Sequence, residues 1–371
     1  MKVLITGADG FVGKNLRLRL GERKDVEVVT YTRADSVADL PARLDGVEVV
    51  FHLAGVNRPK DPQEFVAGNA ELTQALSQAI QNTGRRIRVL HTSSTQARMD
   101  NPYGLSKRQA EQALQALVGK SGASIHVFRL PNVFGKWCKP NYNSAVATFC
   151  HNIARGLPIQ VNDPNAAVTL VYIDDLLDRF IDLMNGADAE PDAEGFETMA
   201  PQHTVTVGEL ARQITAFRES RDSLVIARVG AGFVRALYAT YVSYLPVASF
   251  AYEVPQYADP RGVFVEVLKT PDCGQFSFFT AHPGITRGGH YHHTKTEKFL
   301  VIKGQARFRF RHMQTGQTHE LETTGTKPEI VETVPGWTHD ITNTGSDEML
   351  VVLWANEIFD RAKPDTYACP V

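Results

Sequence analysis

The hydrophobic pattern of this 371-residue chain changes period once, and that change decides its fold. From Lys2 to about Ile181, short apolar runs at residues 3–5, 27–31, 47–53, 87–91 and 125–130 alternate with stretches of helical spacing. Strands that alternate with helices form a right-handed, doubly wound parallel sheet with helices on both faces, the α/β class. Beyond residue 250, the runs 263–268, 275–281, 298–302, 306–310, 330–334 and 349–354 are separated only by Gly, Pro, Asn and Thr turns. That pattern belongs to an all-β sandwich or barrel. The spacing predicts two domains, 1–243 and 252–371, joined near 243–252.

Charge and cysteine usage narrow the function classes. A net charge of −2 leaves no long-range field to recruit nucleic acid or an anionic membrane. The expected partners are small molecules and copies of the chain. Cys138, Cys150, Cys273 and Cys369 show neither paired spacing nor the density of a secreted scaffold, so they are expected to be reduced thiols in a cytoplasm. An apolar strand follows Met1 directly, which is not the pattern of a secretory signal. The stretch 233–252 is apolar but includes Arg235, Pro246 and internal tyrosines, which favours a buried or dimer-facing helix over a membrane span.

The first chemical motif is Gly7-Ala8-Asp9-Gly10-Phe11-Val12-Gly13, between the first strand and an amphipathic helix. Glycines there allow a tight turn and a close approach of backbone to a pyrophosphate, and the helix N-terminus supplies the anion site. The second strand ends in Tyr31-Thr32-Arg33, where an NAD site carries an acidic residue for the ribose hydroxyl. Arg33 suits the extra phosphate of NADP; the alternative is a solvated surface arginine. Further on, Ser93-Ser94 ends a strand, and Tyr103-Gly104-Leu105-Ser106-Lys107 opens a helix. Tyr103 and Lys107 share a helix face, so the ammonium is expected to lower the phenol pKa, while a serine hydroxyl bonds a substrate carbonyl.

These residues resemble the extended short-chain dehydrogenase/reductases that act on nucleotide sugars, a Rossmann-like family. The resemblance runs through Phe51-His52-Leu53-Ala54-Gly55, Arg129-Leu130-Pro131-Asn132-Val133-Phe134-Gly135 and Val171-Tyr172-Ile173-Asp174-Asp175-Leu176. It implies Ser94, Tyr103 and Lys107 as the catalytic set, Leu53, Ala54 and Gly55 along the cofactor, and Asn132 facing the nucleotide sugar. Ser94 and Tyr103 stand only nine positions apart, so the usual intervening loop is largely missing and the choice between Ser93 and Ser94 stays open.

The second half carries Gly284, His290, His292, Glu297 and Gly304, then Pro335-Gly336-Trp337-Thr338-His339 and Asn343. On a strand His290 and His292 point to one side, and Glu297 and His339 arriving from neighbouring strands complete three nitrogens and one oxygen around a divalent ion. Both halves resemble the cupin (jelly-roll) pattern. His293 falls on the opposite face. A second resemblance overlies the first: Asp259-Pro260-Arg261-Gly262-Val263-Phe264-Val265-Glu266, Gln275-Phe276-Ser277-Phe278 and Arg287-Gly288-Gly289-His290-Tyr291 resemble the deoxy-keto-sugar 3,5-epimerases. In that family the histidine is a proton-abstracting base, whereas the cupin pattern makes His290 a ligand. A metal-bound nitrogen has no free lone pair, so only one role holds, and the ligand is preferred. Arg287 is expected to stabilise the enolate of a keto-sugar.

Domain order and both motif sets together resemble the bifunctional CapF-type enzymes of capsule and O-antigen assembly. The resemblance implies 3-epimerisation and 4-reduction of UDP-2-acetamido-2,6-dideoxy-L-arabino-hexos-4-ulose with NADPH, on the route to UDP-N-acetyl-L-fucosamine. It also implies zinc and a homodimer joined largely through the cupins. Two other readings stand beside it: a reductase whose cupin only binds sugar and dimerises around a structural metal, and a nucleotide-sugar epimerase or dehydratase with tightly held NAD, against which Arg33 argues.

Overall fold

The computed structural model describes residues 1–250, 252–293, 295–313 and 315–371; Ala251, inside the expected linker 243–252, lies outside them. The described chain forms two compact units. One comprises Met1–Ile214 with Ala236–Leu245, the other Thr215–Arg235 with Pro246–Val371.

In the first unit, strands β1 (Lys2–Thr6), β2 (Glu27–Tyr31), β3 (Val49–His52), β4 (Arg88–Ser94) and β5 (Ser124–Leu130) make a parallel sheet of order β2-β1-β3-β4-β5. Alternation along the strands feeds two cores. Val3 and Ile5 pack with Leu16, Phe51, Phe128 and Phe180 on one face, whereas Leu4 packs with Leu40, Val50, Leu76, Ile80 and Leu114 on the other. This is the doubly wound arrangement that the periodicity predicts. A smaller sheet of β6 (Asn132–Phe134), β7 (Ala167–Tyr172) and β8 (His203–Thr206) stands apart from it. The apolar stretch 233–252 contains the helix Gly232–Ser243, which buries Ala236, Leu237, Thr240 and Tyr241. No helix among the described residues is long and apolar enough to cross a membrane.

The second unit stacks two antiparallel sheets as a cupin-like jelly roll. One has the order β16 (Ile330–Glu332), β13 (Glu297–Lys303), β18 (Met349–Ala355), β11 (Gly274–Ala281), β10 (Gly262–Thr270), β9 (Gln256–Asp259). The other has β15 (Thr318–Thr324), β14 (Gln305–His312), β17 (Trp337–Asn343), β12 (Thr286–Tyr291), β19 (Tyr367–Ala368). Phe279, Phe299, Phe308, Phe310 and Ile341 fill the space between them. Strands β12 and β17 are absent from the apolar runs because polar side chains break them: His339 stands between core-facing Trp337 and Ile341, and Arg287 and His290 take the positions paired with Ile341 and His339. Site-bearing strands have traded hydrophobic periodicity for polar side chains.

Phe180 is fully buried, with its ring centroid 5.1 Å from that of Phe128 and 5.8 Å from that of Phe51. Phe180→Ala should therefore destabilise the first unit by about 3–5 kcal/mol. Urea unfolding followed by circular dichroism checks this, and a loss below about 1 kcal/mol would mean that the cluster collapses freely around the gap.

Candidate active sites

The turn after β1 is built by close approach. Gly7 has φ +68°, and a Cβ on it would lie 2.7 Å from the backbone nitrogen of Ala54. A Cβ on Gly13 would meet the Gly7 carbonyl oxygen at 2.3 Å, so the helix Phe11–Gly21 can sit directly on the turn. This cradle, which any side chain would fill, fits the pyrophosphate of a dinucleotide. The turn opens into a cleft of about 730 Å³ lined by Gly7, Gly10, Phe11, Val12, Gly13, Arg33, Leu53 and Gly55, and also by Ser93, Ser94, Tyr103, Lys107 and Asn132. Two expected cofactor residues, Thr32 and Ala54, do not line it. The Thr32 N–H and hydroxyl both donate to Asp35 Oδ2, at 2.7 and 3.0 Å, and the Ala54 N–H donates to Thr6 Oγ1 at 3.2 Å.

Asp35 is the acidic residue nearest Arg33 in the strand-end loop. The Thr32 N–H holds its carboxyl below the usual carboxylate range, and Arg43 adds to this from 2.5 Å. Arg33, by contrast, is exposed and lines the cleft.

The short Ser94-to-Tyr103 connection is accommodated by a single tight turn. A 3₁₀ turn at Thr95–Arg98 starts at Ser94, whose Oγ accepts from the Gln96 N–H at 3.2 Å. Asn101 then caps the helix Pro102–Ser121, its Oδ1 accepting from the Gly104 N–H at 2.8 Å. A Cβ on Gly104 would lie 2.3 Å from the Met99 carbonyl oxygen, so the helix can start this close to β4 only on a glycine. The two serines consequently face different partners. Ser93 donates to buried Glu111, which is also ion-paired with Arg129 at 2.7 Å, while Ser94 is the side-chain hydrogen-bond partner of Tyr103.

One charge effect differs from expectation. Burial raises the Tyr103 pKa above its ordinary value, and only the bond to Ser94 opposes the shift. The expected lowering by Lys107 is absent; the Lys107 ammonium donates to the Thr92 carbonyl at 3.0 Å. Burial lowers Lys107 itself to about 8, with Glu111 opposing one helical turn away. Asn69, which the motifs do not single out, sits in a π-helical stretch at Val66–Glu71. It accepts from the Val56 N–H at 2.8 Å and donates to Ser106 Oγ at 2.9 Å, tying the cofactor loop to the residue before Lys107. Asn132 is exposed at the rim.

In the second unit, one ligating atom from each of His290, His292, Glu297 and His339 lies within 4.8 Å of every other. The register pairs His290 with His339 across β12 and β17, and Glu297 opens β13 in the facing sheet. His292 Nε2 stands 3.1 Å, and His339 Nε2 3.5 Å, from the same Glu297 oxygen. The His292 Nδ1–H is donated to the Asp365 carbonyl at 2.5 Å, which turns Nε2 toward the Glu297 carboxylate. Neither nitrogen of buried His339 has a hydrogen-bond partner. Three imidazoles and one carboxylate converging on one point form a donor set that fits a divalent metal. Burial, then the neighbouring His339, lowers His290 to about 4, the neutral state that a ligand needs. Burial works to raise the Glu297 pKa, but the bond to His292, the nearby His339 ring and the charge of Lys295 bring it well below the usual range. Lys295, also missed by the motif, contacts the second Glu297 oxygen at 3.0 Å. His293 is exposed, outside the cluster.

Arg287 pairs in register with core residue Ile341 and stacks 5.0 Å from the Phe279 ring centroid. Its Nε and Nη2 are buried without partners, two donors available to an oxygen inside the barrel. Burial, then Arg261, lowers its pKa below that of an ordinary guanidinium.

Residues 3–197 match the NAD dependent epimerase/dehydratase family, and residues 257–367 match the polysaccharide biosynthesis C-terminal domain. The chain is 62% identical to the UDP-2-acetamido-2,6-beta-L-arabino-hexul-4-ose reductase of Pseudomonas aeruginosa, over 100% of this chain and 99% of that one. It superposes on the crystal structure of the capsular polysaccharide assembling protein CapF from Staphylococcus aureus with a TM-score of 0.93, 41% identity and full coverage of both chains. UDP-glucose 4-epimerase from Thermotoga maritima shares the fold of the first part, with a TM-score of 0.55 and 18% identity over 66% of this chain and 98% of that one.

Gly7→Ala forces a Cβ onto the Ala54 backbone at a positive φ, and should weaken binding of a nicotinamide dinucleotide at least roughly tenfold. Fluorescence titration with the reduced coenzyme measures it. Unchanged affinity would mean that the turn is not the pyrophosphate site.

Proposed function

The chain belongs to the NAD dependent epimerase/dehydratase family, among the CapF-like members with a polysaccharide biosynthesis C-terminal domain, and we propose on that premise that it catalyses two successive reactions on one UDP-keto-sugar. The cupin unit epimerises carbon 3 of a UDP-2-acetamido-2,6-dideoxy-4-keto-hexose, and the first unit reduces the carbon 4 ketone. The product feeds UDP-N-acetyl-L-fucosamine formation for capsule or O-antigen, and the enzyme works in the cytoplasm as a homodimer joined through its cupins. The observation that carries this reading is the presence of two separate constellations with different chemistry, one in each unit. A hydroxyl pair above a buried lysine suits proton delivery to a reduced ketone, and a three-histidine, one-carboxylate cluster with orphaned Arg287 donors suits enolate formation.

NADPH, held by the turn after β1 with Arg33 toward its extra phosphate, supplies the hydride. Tyr103 gives its phenolic proton to the carbon 4 oxygen, and its raised pKa keeps it protonated until that oxygen turns basic. Ser94 orients the phenol, and Lys107 places positive charge beneath the developing alkoxide. In the cupin, His290, His292, Glu297 and His339 hold the metal, zinc in this proposal, which supplies Lewis-acid stabilisation of charge on the carbonyl oxygen. Arg287 offers its two free donors to the same developing oxyanion.

One observation favours a second reading. Four protein groups converge on the metal position, and a metal with all four places taken by protein is structural. In that case the cupin only binds sugar and dimerises. Solvent exchange separates the two readings: in deuterated water the Tyr103→Phe variant should still place deuterium at carbon 3 of the keto-sugar, by NMR, while its reductase turnover falls at least roughly a hundredfold. Absence of exchange with metal bound would establish the structural reading, and full reduction would remove Tyr103 from its role.

Arg33→Asp sets a carboxylate against the extra phosphate and should reverse the ratio of kcat/KM for NADPH over NADH. A parent enzyme that already prefers NADH would overturn the assignment. The reduction rate should also fall as pH rises through about 8, where Lys107 loses the proton that its folded environment binds more weakly than free lysine does.

A further inference from the structure

The metal centre does not end at its four side chains. Segment 365–370, far from the metal-binding motif in sequence, touches the chain beside three of the four ligands. At His292, the Asp365 carbonyl accepts the Nδ1–H at 2.5 Å. A carbonyl can only accept, so this bond decides the tautomer and turns the Nε2 lone pair toward Glu297, His290 and His339. The Asp365 carboxylate then takes the His293 N–H at 2.9 Å and the Lys295 N–H at 2.8 Å, one on each oxygen, closing the connection between β12 and β13 from both sides. At His290, β19 pairs Ala368 with His290 and Tyr367 with Tyr291, and the Cys369 N–H donates to the Gly289 carbonyl at 2.7 Å. At His339, the neighbouring Thr338 hydroxyl donates to the Cys369 carbonyl, and Arg311 reaches the Pro370 carbonyl at 2.6 Å. Tyr367 stacks on Tyr291 with ring centroids 5.3 Å apart.

We propose that segment 365–370 is a built-in strap of the metal centre, and that Asp365 is the positioning residue that fixes the tautomer and orientation of His292 and so sets how long a divalent cation is retained. The inference rests on the reading of the four-residue cluster as a metal site. It assigns a function to residues that no metal or reductase motif includes. Backbone pairing alone would hold the strand, but it would not need a carboxylate clamped on two N–H groups of the ligand loop. The two oxygens of Asp365 are spent on that loop, and its carbonyl is spent on the ligand itself.

The probe is cobalt loaded into the full-length protein in place of the native metal, its release to a chromogenic chelator followed by loss of the visible absorption. Asp365→Ala keeps the carbonyl that bonds His292 but removes the carboxylate clamp that holds it in place, and should release cobalt at least roughly fivefold faster than the parent, short of the roughly 10–100-fold expected when the outer partner of a ligating histidine is lost outright. Asp365→Asn keeps one acceptor oxygen and should fall between the two. Asp360→Ala, in the same stretch but bonded only locally to the Ala362 N–H, should match the parent. Melting temperatures of the metal-free proteins separate positioning from bulk structure: a positioning role leaves the metal-free Asp365→Ala and parent proteins close together and separates them once metal is bound. A chain ending at residue 364 should lose metal fastest, and if it fails to fold the Asp365→Ala rates still decide the matter. Release from Asp365→Ala within twofold of the parent would overturn the inference. A parent protein that takes up no cobalt would instead overturn the metal reading beneath it.

Discussion

The junction between β4 and the helix Pro102–Ser121 governs the whole reductase side of this molecule, and a buried ion pair holds it. Glu111 and Arg129 have side chains 3% and 13% exposed and meet at 2.7 Å, and Ser93 donates to the same carboxylate. Removing one partner of such a pair leaves an uncompensated charge and costs about 3–5 kcal/mol, far more than a surface pair contributes. That energy is committed to one geometric result. With Ser93 drawn to Glu111, the alternation of the strand turns Ser94 the other way, toward Tyr103, and the helix carries Lys107 one turn before Glu111. A chain with only eight residues between Ser94 and Tyr103 has little slack to find that arrangement, and Gly104 supplies the last of it by letting the helix touch the turn.

The cupin is organised around one convergence of ligating atoms. Two imidazole nitrogens face one Glu297 oxygen, and Lys295 neutralises only the other oxygen. On the proposed metal reading, a cation bound among these buried groups would make metal binding and local folding one process. The same logic applies to Arg287, whose unpartnered donors inside the barrel have a desolvation cost that a bound anionic oxygen would offset. Both features are poor choices for stability alone. They make sense as sites whose last partner arrives from solution.

Much of this was legible in the sequence because periodicity survives where a strand faces a core. The five strands of the first sheet and the apolar strands of the jelly roll appear as hydrophobic runs, and glycine spacing marks the dinucleotide turn. Legibility fails where chemistry replaces packing. Strands β12 and β17 carry the ligands and so lack an apolar signature. Ser93 and Ser94 cannot be told apart by spacing, since the deciding contact is to Glu111, eighteen residues on. Asn69 and Asp365 act through bonds to residues far along the chain, and Lys295 sits inside the metal motif at a position which that motif leaves unspecified. The direction of the Tyr103 shift failed for a different reason: helical spacing correctly placed Lys107 on the tyrosine face, but burial outweighs that proximity.

The proposed chemistry fixes its own order. A proton on carbon 3 is acidic only while carbon 4 is a ketone, because only then does its loss give a delocalised enolate. Once the carbonyl has become an alcohol, no arrangement of histidines or metal restores that acidity, so epimerisation that followed reduction would have no route. The cleft must therefore select the epimer that the cupin makes, and it must not reduce the unconverted ketone faster than the cupin processes it. The mouth of the cleft is where such selection has to act. Asn132 and Asn143 line the cleft there, and on the proposed reading their amides would offer donors and acceptors to sugar hydroxyls. A polar rim discriminates by leaving its groups unpaired with the wrong epimer, which separates two sugars more sharply than apolar contact with the same atoms would.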